Sequence, residues 1–155
     1  MAESFVDLRP HHPDVPRNTY PDFCTEDLAF VLGAMVSEGW VSDSVSRFSN
    51  NEVDFLEAFA GAANRSFGCD RKPFWLDHPD RPEWASQGVV TLGKGASRLL
   101  MALGAGGRSQ DKQVPWVINR SPKPVAAAFL RSLFEGDGGV TVSPSAGEWV
   151  HFTTT

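Results

Sequence analysis

Only two cysteines occur in this 155-residue chain, Cys24 and Cys69. They stand alone, with no CxxC and no paired histidine, which excludes a disulfide framework and argues against a zinc site. They read as buried or free thiols in a reducing compartment. No apolar run approaches the ~18 residues of a membrane span, so no membrane partner is expected. The opening MAESFVDLRP has neither the basic stretch nor the apolar core of a signal peptide, and the expected location is cytoplasmic. Positive charge is also scarce: 14 Lys and Arg stand against 19 Asp and Glu, a net charge of −5 with pI near 5.3. That excludes a uniformly basic nucleic-acid binder, because such proteins usually show a basic face. It leaves a local basic face open. Asp7, Asp14, Asp22, Glu26 and Asp27 gather early, whereas Arg47, Arg65, Arg71, Lys72, Arg81, Lys94 and Arg98 fall in the middle third. With 41% hydrophobic and 21% charged residues, the chain is neither disordered nor fibrous, and its length suits one domain.

What is present is a run of alternating helical and strand-like segments. Residues 1–24 are rich in proline and lack periodicity, and are expected to form an extended arm or linker. Thr25 is placed to cap a helix, with Glu26 and Asp27 in its first turn. Trp40 to Phe48 reads as a short hairpin around a Ser-Asp-Ser turn. Asn51 is expected to cap a second helix, with Val53, Leu56, Ala60, Ala63 and Phe67 in one stripe and Gly68 at its end. Strands follow at 73–76 and 88–92, then a helix at 96–103 that stops at Gly104. Ser121 and Pro122 announce a further helix, and 139–143 and 148–153 a closing hairpin. Trp75, Trp84 and Trp116 read as core or interface residues, and His11, His12 and His78 as loop residues.

The most informative feature is a repetition. Residues 29–41, AFVLGAMVSEGWV, superimpose at an offset of 99 positions on residues 128–140, AFLRSLFEGDGGV. Small residues sit four apart in both: Gly33 and Ser37, then Ser132 and Gly136. They let two helix backbones touch. Each copy ends in an acid and a glycine, Glu38–Gly39 and Asp137–Gly138, the glycines being expected as left-handed helix caps. A carboxylate at a helix C-terminus faces the negative end of the dipole, disfavoured by roughly 0.3–1 kcal/mol. If the small faces pack, the two acids meet, and like charges at close range need a proton or a cation between them. Mg²⁺ typically uses one or two carboxylates together with substrate phosphates.

These two segments, Val31–Gly39 and Leu130–Gly138, resemble the paired signature helices of the LAGLIDADG homing endonucleases, in particular the dodecapeptide (DOD) type found inside inteins. The stretch 114–140 is similar to that family's entry into its second repeat; Ser132 stands where the family usually has glycine. The resemblance implies an α+β fold, an αββαββα repeat with a twisted antiparallel saddle sheet, followed by the start of a second repeat. On this division residues 25–120 are the first repeat and 121–155 an incomplete second one. It implies site-specific, metal-dependent hydrolysis of double-stranded DNA, with Glu38 and Asp137 as catalytic metal ligands for Mg²⁺ or Mn²⁺. Gly33, Ser37, Ser132 and Gly136 would pack the helix pair, and Arg47 and Lys94 would contact DNA. Splicing segments of an intein would flank such a module. Alternatives are a non-cleaving, maturase-like nucleic-acid binder and an inactive fragment. A second repeat lacking its later elements would leave the strand near 148–153 unpaired, an edge through which the chain self-associates.

Overall fold

The computed structural model describes residues 4–16, 19–83, 85–106, 112–143 and 147–152, with side chains described as far as Gly136. Five helices and six strands follow in the order α1 (Glu26–Glu38), β1 (Gly39–Val41), β2 (Ser46–Ser49), α2 (Val53–Phe67), β3 (Phe74–Leu76), β4 (Gln87–Leu92), α3 (Lys94–Ala102), α4 (Trp116–Asn119), α5 (Lys123–Asp137), β5 (Gly138–Ser143) and β6 (Gly147–Phe152). This is the α+β architecture expected, with α4 as an addition. The four strands of the first repeat form one antiparallel sheet in the order β1-β2-β4-β3. Strands β5 and β6 form a separate hairpin.

The core lies between one face of the four-stranded sheet and the helices. Phe48 on β2 is fully buried and stacks on Phe59 of α2 at a ring separation of 4.3 Å, with Phe55 edge-on at 5.0 Å. Its register partner Val90, together with Leu92, turns to the same side. Alternation then sends Arg47 to the opposite, exposed face. A buried hydroxyl pair ties the sheet to α3, Ser46 Oγ donating to Ser97 Oγ at 2.7 Å and Ser97 Oγ to the Gly93 carbonyl at 2.7 Å.

Several local expectations require correction. Residues 1–24 are not a free arm: Leu8 N donates to Asp22 O at 2.7 Å and Cys24 N to Val6 O at 2.9 Å, and the side chains of Leu8 and Cys24 are fully buried. The segment is a strap whose apolar residues complete the core. Gly39 is extended (φ −108°, ψ 165°), so it is not a left-handed cap. Glycine is needed there because a Cβ would fall 2.5 Å from Met35 Cα and 2.6 Å from its carbonyl oxygen. Gly138 likewise opens a strand. The left-handed glycines among the described residues are Gly68 and Gly104. Asn51 does not cap α2. Asn50 Oδ1 accepts from Glu52 N at 2.7 Å, and Asn51 Oδ1 accepts from Gly88 N at 3.4 Å. Ser121 donates backward to the Val117 carbonyl at 2.7 Å, and the first turn of α5 is closed by Pro122, whose carbonyl accepts from Val125 and Ala126. Trp75 is about half exposed rather than buried, while Trp84 lies outside the described residues.

Candidate metal-dependent site at the paired helix ends

Helix α1 begins as its sequence dictates. Thr25 Oγ1 accepts from Leu28 N at 3.2 Å, and Glu26 and Asp27 occupy the positive end of the dipole. Its small face meets α5 along the repeat's own symmetry. A side chain at Gly33 would collide with Ser132 Oγ and the Phe129 carbonyl; one at Gly136 would collide with Ser37 Oγ and lie 2.6 Å from Ser37 Cβ. Each small residue therefore touches its own counterpart at the offset of 99, which is the contact pattern of a pseudo-two-fold axis between two helices. Both hydroxyls are returned to their own helix three residues back, Ser37 Oγ to Ala34 O at 3.0 Å and Ser132 Oγ to Phe129 O at 3.1 Å. Neither hydroxyl is stranded in the interlock, and the backbones approach as closely as two helices can.

The consequence for the acids follows directly. Glu38 is exposed at the last residue of α1, and its Cγ lies 3.1 Å from where a Cβ of Gly136 would stand, one residue before Asp137. The two acidic helix ends thus share one edge of the molecule. The carboxylate of Asp137 itself lies outside the described side chains, as do the hairpin residues Val142, Trp149, Val150 and Phe152 and the edge they were expected to form. No group of three or more candidate metal ligands occurs among the described residues, which leaves a two-carboxylate arrangement completed by substrate oxygens as the one these helices can offer.

A residue with no signal in the sequence pattern also reaches this edge. Lys112 Nζ donates to Gly39 O at 2.7 Å and to Met35 O at 3.3 Å. Its ammonium answers the carbonyls left over at the C-terminus of α1 and supplies positive charge where the dipole makes Glu38 unfavourable. It lies 73 residues beyond Gly39 in a non-helical segment, so no local spacing could have marked it. Beside Glu38 opens a groove of about 550 Å³ whose walls include Asn50, Asn51, His78 and Gln87. Arg47 sits centrally on the exposed sheet face, paired across the strands with Trp40 on one side and Thr91 on the other; Trp40 is 55% exposed. Lys94 is the exposed first residue of α3. Neither Arg47 nor Lys94 lines the groove at Glu38.

Comparison with known proteins places residues 124–155, the second motif helix and its hairpin, in the LAGLIDADG-like domain family. The chain is similar to the gyrase A protein of Mycobacterium kansasii, one of the two kinds of DNA gyrase polypeptide, 35% identical over 123 residues that make up 75% of this chain and 21% of that protein. It is 29% identical over 137 residues to the gyrase A protein of Mycobacterium gordonae, covering 81% and 23%. It is 30% identical over 125 residues to a DNA polymerase of Thermococcus litoralis, covering 74% and 6%. The chain therefore spans less than a quarter of each of these relatives.

Proposed function

Given that this chain carries a LAGLIDADG-like domain, we propose that it is the DNA-cleaving module of an intein-type homing endonuclease, hydrolysing phosphodiester bonds of double-stranded DNA with Mg²⁺ or Mn²⁺. The carrying observation is the interlock of Gly33 with Ser132 and of Ser37 with Gly136, which brings Glu38 to the end of α5 at Asp137. The relatives support a mobile module. Gyrase and polymerase are different enzymes, yet each resembles this chain over a small fraction of its length. A shared insert explains that better than a shared enzymatic activity. The same reading takes 25–120 and 121–155 as the two repeats.

The residues divide the work by position. Glu38 and Asp137 fit a divalent ion as two oxygen donors, with phosphate oxygens completing the shell. Such an ion, when bound, polarises the phosphoryl group and eases deprotonation of water. The helix interlock fixes the spacing of the two donors, because neither helix end can move without separating the pair. Lys112 holds the end of α1 and keeps a positive charge beside the phosphate path. Arg47 and Trp40 present a cation and an aromatic surface on the sheet face, where an Arg suits guanine edges, and Lys94 offers a further phosphate contact. A non-cleaving binder would need the sheet face but not both acids, so their retention favours cleavage.

The test is cleavage of a plasmid library carrying randomised insert sites, with purified chain and Mg²⁺ or Mn²⁺. Metal-dependent nicking or cutting is expected, and Glu38→Gln or Asp137→Asn should abolish it, each keeping side-chain volume while removing ligand charge. Undiminished cleavage by both variants, in a preparation free of host nuclease, would sink the assignment.

A further inference from the structure

The groove beside Glu38 holds two amide side chains whose orientation is set from inside the protein. Asn50 Oδ1 accepts from Glu52 N at 2.7 Å, and Asn51 Oδ1 from Gly88 N at 3.4 Å. The first bond closes the start of α2 and the second ties the start of that helix to β4. Both amide oxygens are thereby turned onto the backbone. The NH₂ ends of both residues have no protein hydrogen-bond partner among the described residues. Two donors therefore remain on a polar wall that also carries Gln87 and His78 and has Glu38 at its margin. Reading adenine would need the donor and the acceptor of one amide together. Here the acceptor is already engaged, so what is left matches a ligand group that only accepts. A phosphodiester oxygen is such a group, and side-chain amides commonly hold phosphates to fix register on DNA.

We propose that Asn50 and Asn51 form a phosphate subsite for the nucleotide flanking the scissile position, held in the groove next to Glu38. This rests on the DNA-cleaving reading and deepens it: the subsite fixes where along the strand the carboxylate edge falls. It also supplies neutral donors where a chain of net charge −5 has few cations to offer.

Asn50→Asp and Asn51→Asp test it without disturbing the fold, because each keeps the oxygen that the backbone uses and replaces the NH₂ donor with a charged acceptor. Ala58→Asp, exposed on α2, is the control for the added charge. Binding to a pool of random-sequence duplexes is measured in Ca²⁺, with the bound pool sequenced, and side-chain amide resonances are followed by NMR. Each Asn variant is expected to bind about tenfold more weakly than the control, as for loss of a hydrogen bond to a charged group. The loss should be uniform across sequences, and the NH₂ resonances of Asn50 and Asn51 should shift when duplex is added to the unaltered chain. Affinity equal to that of Ala58→Asp overturns the subsite while leaving DNA binding intact. Loss confined to one base position overturns the phosphate assignment in favour of a base edge. Absence of duplex binding by the unaltered chain overturns the subsite together with the reading on which it rests.

Discussion

Substituting Gly33 by alanine isolates the helix interlock, because the change adds one methyl group and alanine is otherwise the better helix former. Away from tertiary contacts Gly→Ala within a helix stabilises by roughly 0.5–1 kcal/mol. At Gly33 the new Cβ would collide with Ser132 Oγ and with the Phe129 carbonyl. The hydroxyl can rotate; the carbonyl belongs to the backbone of α5 and cannot. The helices must therefore part, and overpacking of this kind costs about 1–3 kcal/mol. With about 2–4 °C per kcal/mol in a domain near this size, the melting temperature should fall by about 2–12 °C. Gly61→Ala is the matched control. Its Cβ meets only the mobile end of Arg65, Nη1 at 3.1 Å, so this variant should melt at or slightly above the unaltered chain. Adding Ser132→Gly to Gly33→Ala should recover part of the loss but not all, since the Phe129 carbonyl stays; coupled contacts of this kind interact by roughly 0.5–3 kcal/mol. Gly33→Leu should be worse than Gly33→Ala and far worse than the exposed change Glu57→Leu. A thermal melt in which Gly33→Ala gains stability as Gly61→Ala does would refute the interlock.

Three other outcomes are expected. Paired hydrogen bonds from Arg9 hold the Asp7 carboxyl at about 2, so its contribution to anchoring the N-terminal strap is present above the unfolded value near 3.8 and is lost as pH falls through about 2; Asp7→Asn should flatten the acid limb of a circular-dichroism titration in that window. Burial pushes the Cys24 thiol up to about 11, so a disulfide reagent at neutral pH should leave Cys24 unmodified until the chain unfolds, and stability from this group should be lost as pH rises from about 9 through 11. The purified chain should self-associate through the C-terminal hairpin and the outer face of α5, where Leu130 is 46% exposed; light scattering that shows a sharply melting monomer would count against this.

Much of this architecture was legible because it is local. Thr25 capping, the amphipathic stripe of α2, the Ser-Asp-Ser hairpin and the small-residue spacing are all written within one element each. The helix pair was legible for a second reason: repetition places two local signals at one offset, and packing small faces together uses both at once. What escaped depends on contacts between distant segments. Leu8 and Cys24 look like residues of a proline-rich linker until Asp22 and Val6 provide their backbone partners, and Phe67 anchors the same strap by accepting from Thr19 N. Lys112 is an unremarkable cation until the fold brings it to Gly39. Asn51 has the composition of a helix cap, yet its neighbour Asn50 took that role, and the difference lies in a contact to β4 that no spacing encodes. Gly39 was correctly singled out for the wrong physical cause: backbone proximity, not a left-handed turn, demands it.

The two motif helices also show what an equal sequence pattern does in unequal surroundings. In α1 the positions Leu28, Val31, Leu32 and Met35 form one face, and all four are fully buried under the sheet and helices of the first repeat. Their counterparts at the offset of 99 are Ala127, Leu130, Arg131 and Phe134, and all four are exposed. The inner faces do not differ in this way: Ala34 and Leu133 are both buried, as are Gly33 and Ser132. Pairing of the helices is thus satisfied within the chain, whereas the outer face of α5 keeps two large apolar residues in water. Burying a side chain of that size is worth about 1.5–3 kcal/mol, so α5 has a gain still unrealised that α1 has already taken. The face is also less apolar than its counterpart, with Arg131 where Leu32 stands. That arginine lies 5.9 Å over the Phe30 ring, reaching back across the pair and covering part of α1. The pseudo-symmetry therefore holds at the carboxylate edge, where the interlock demands it, and relaxes on the outer faces, where each helix answers to its own surroundings.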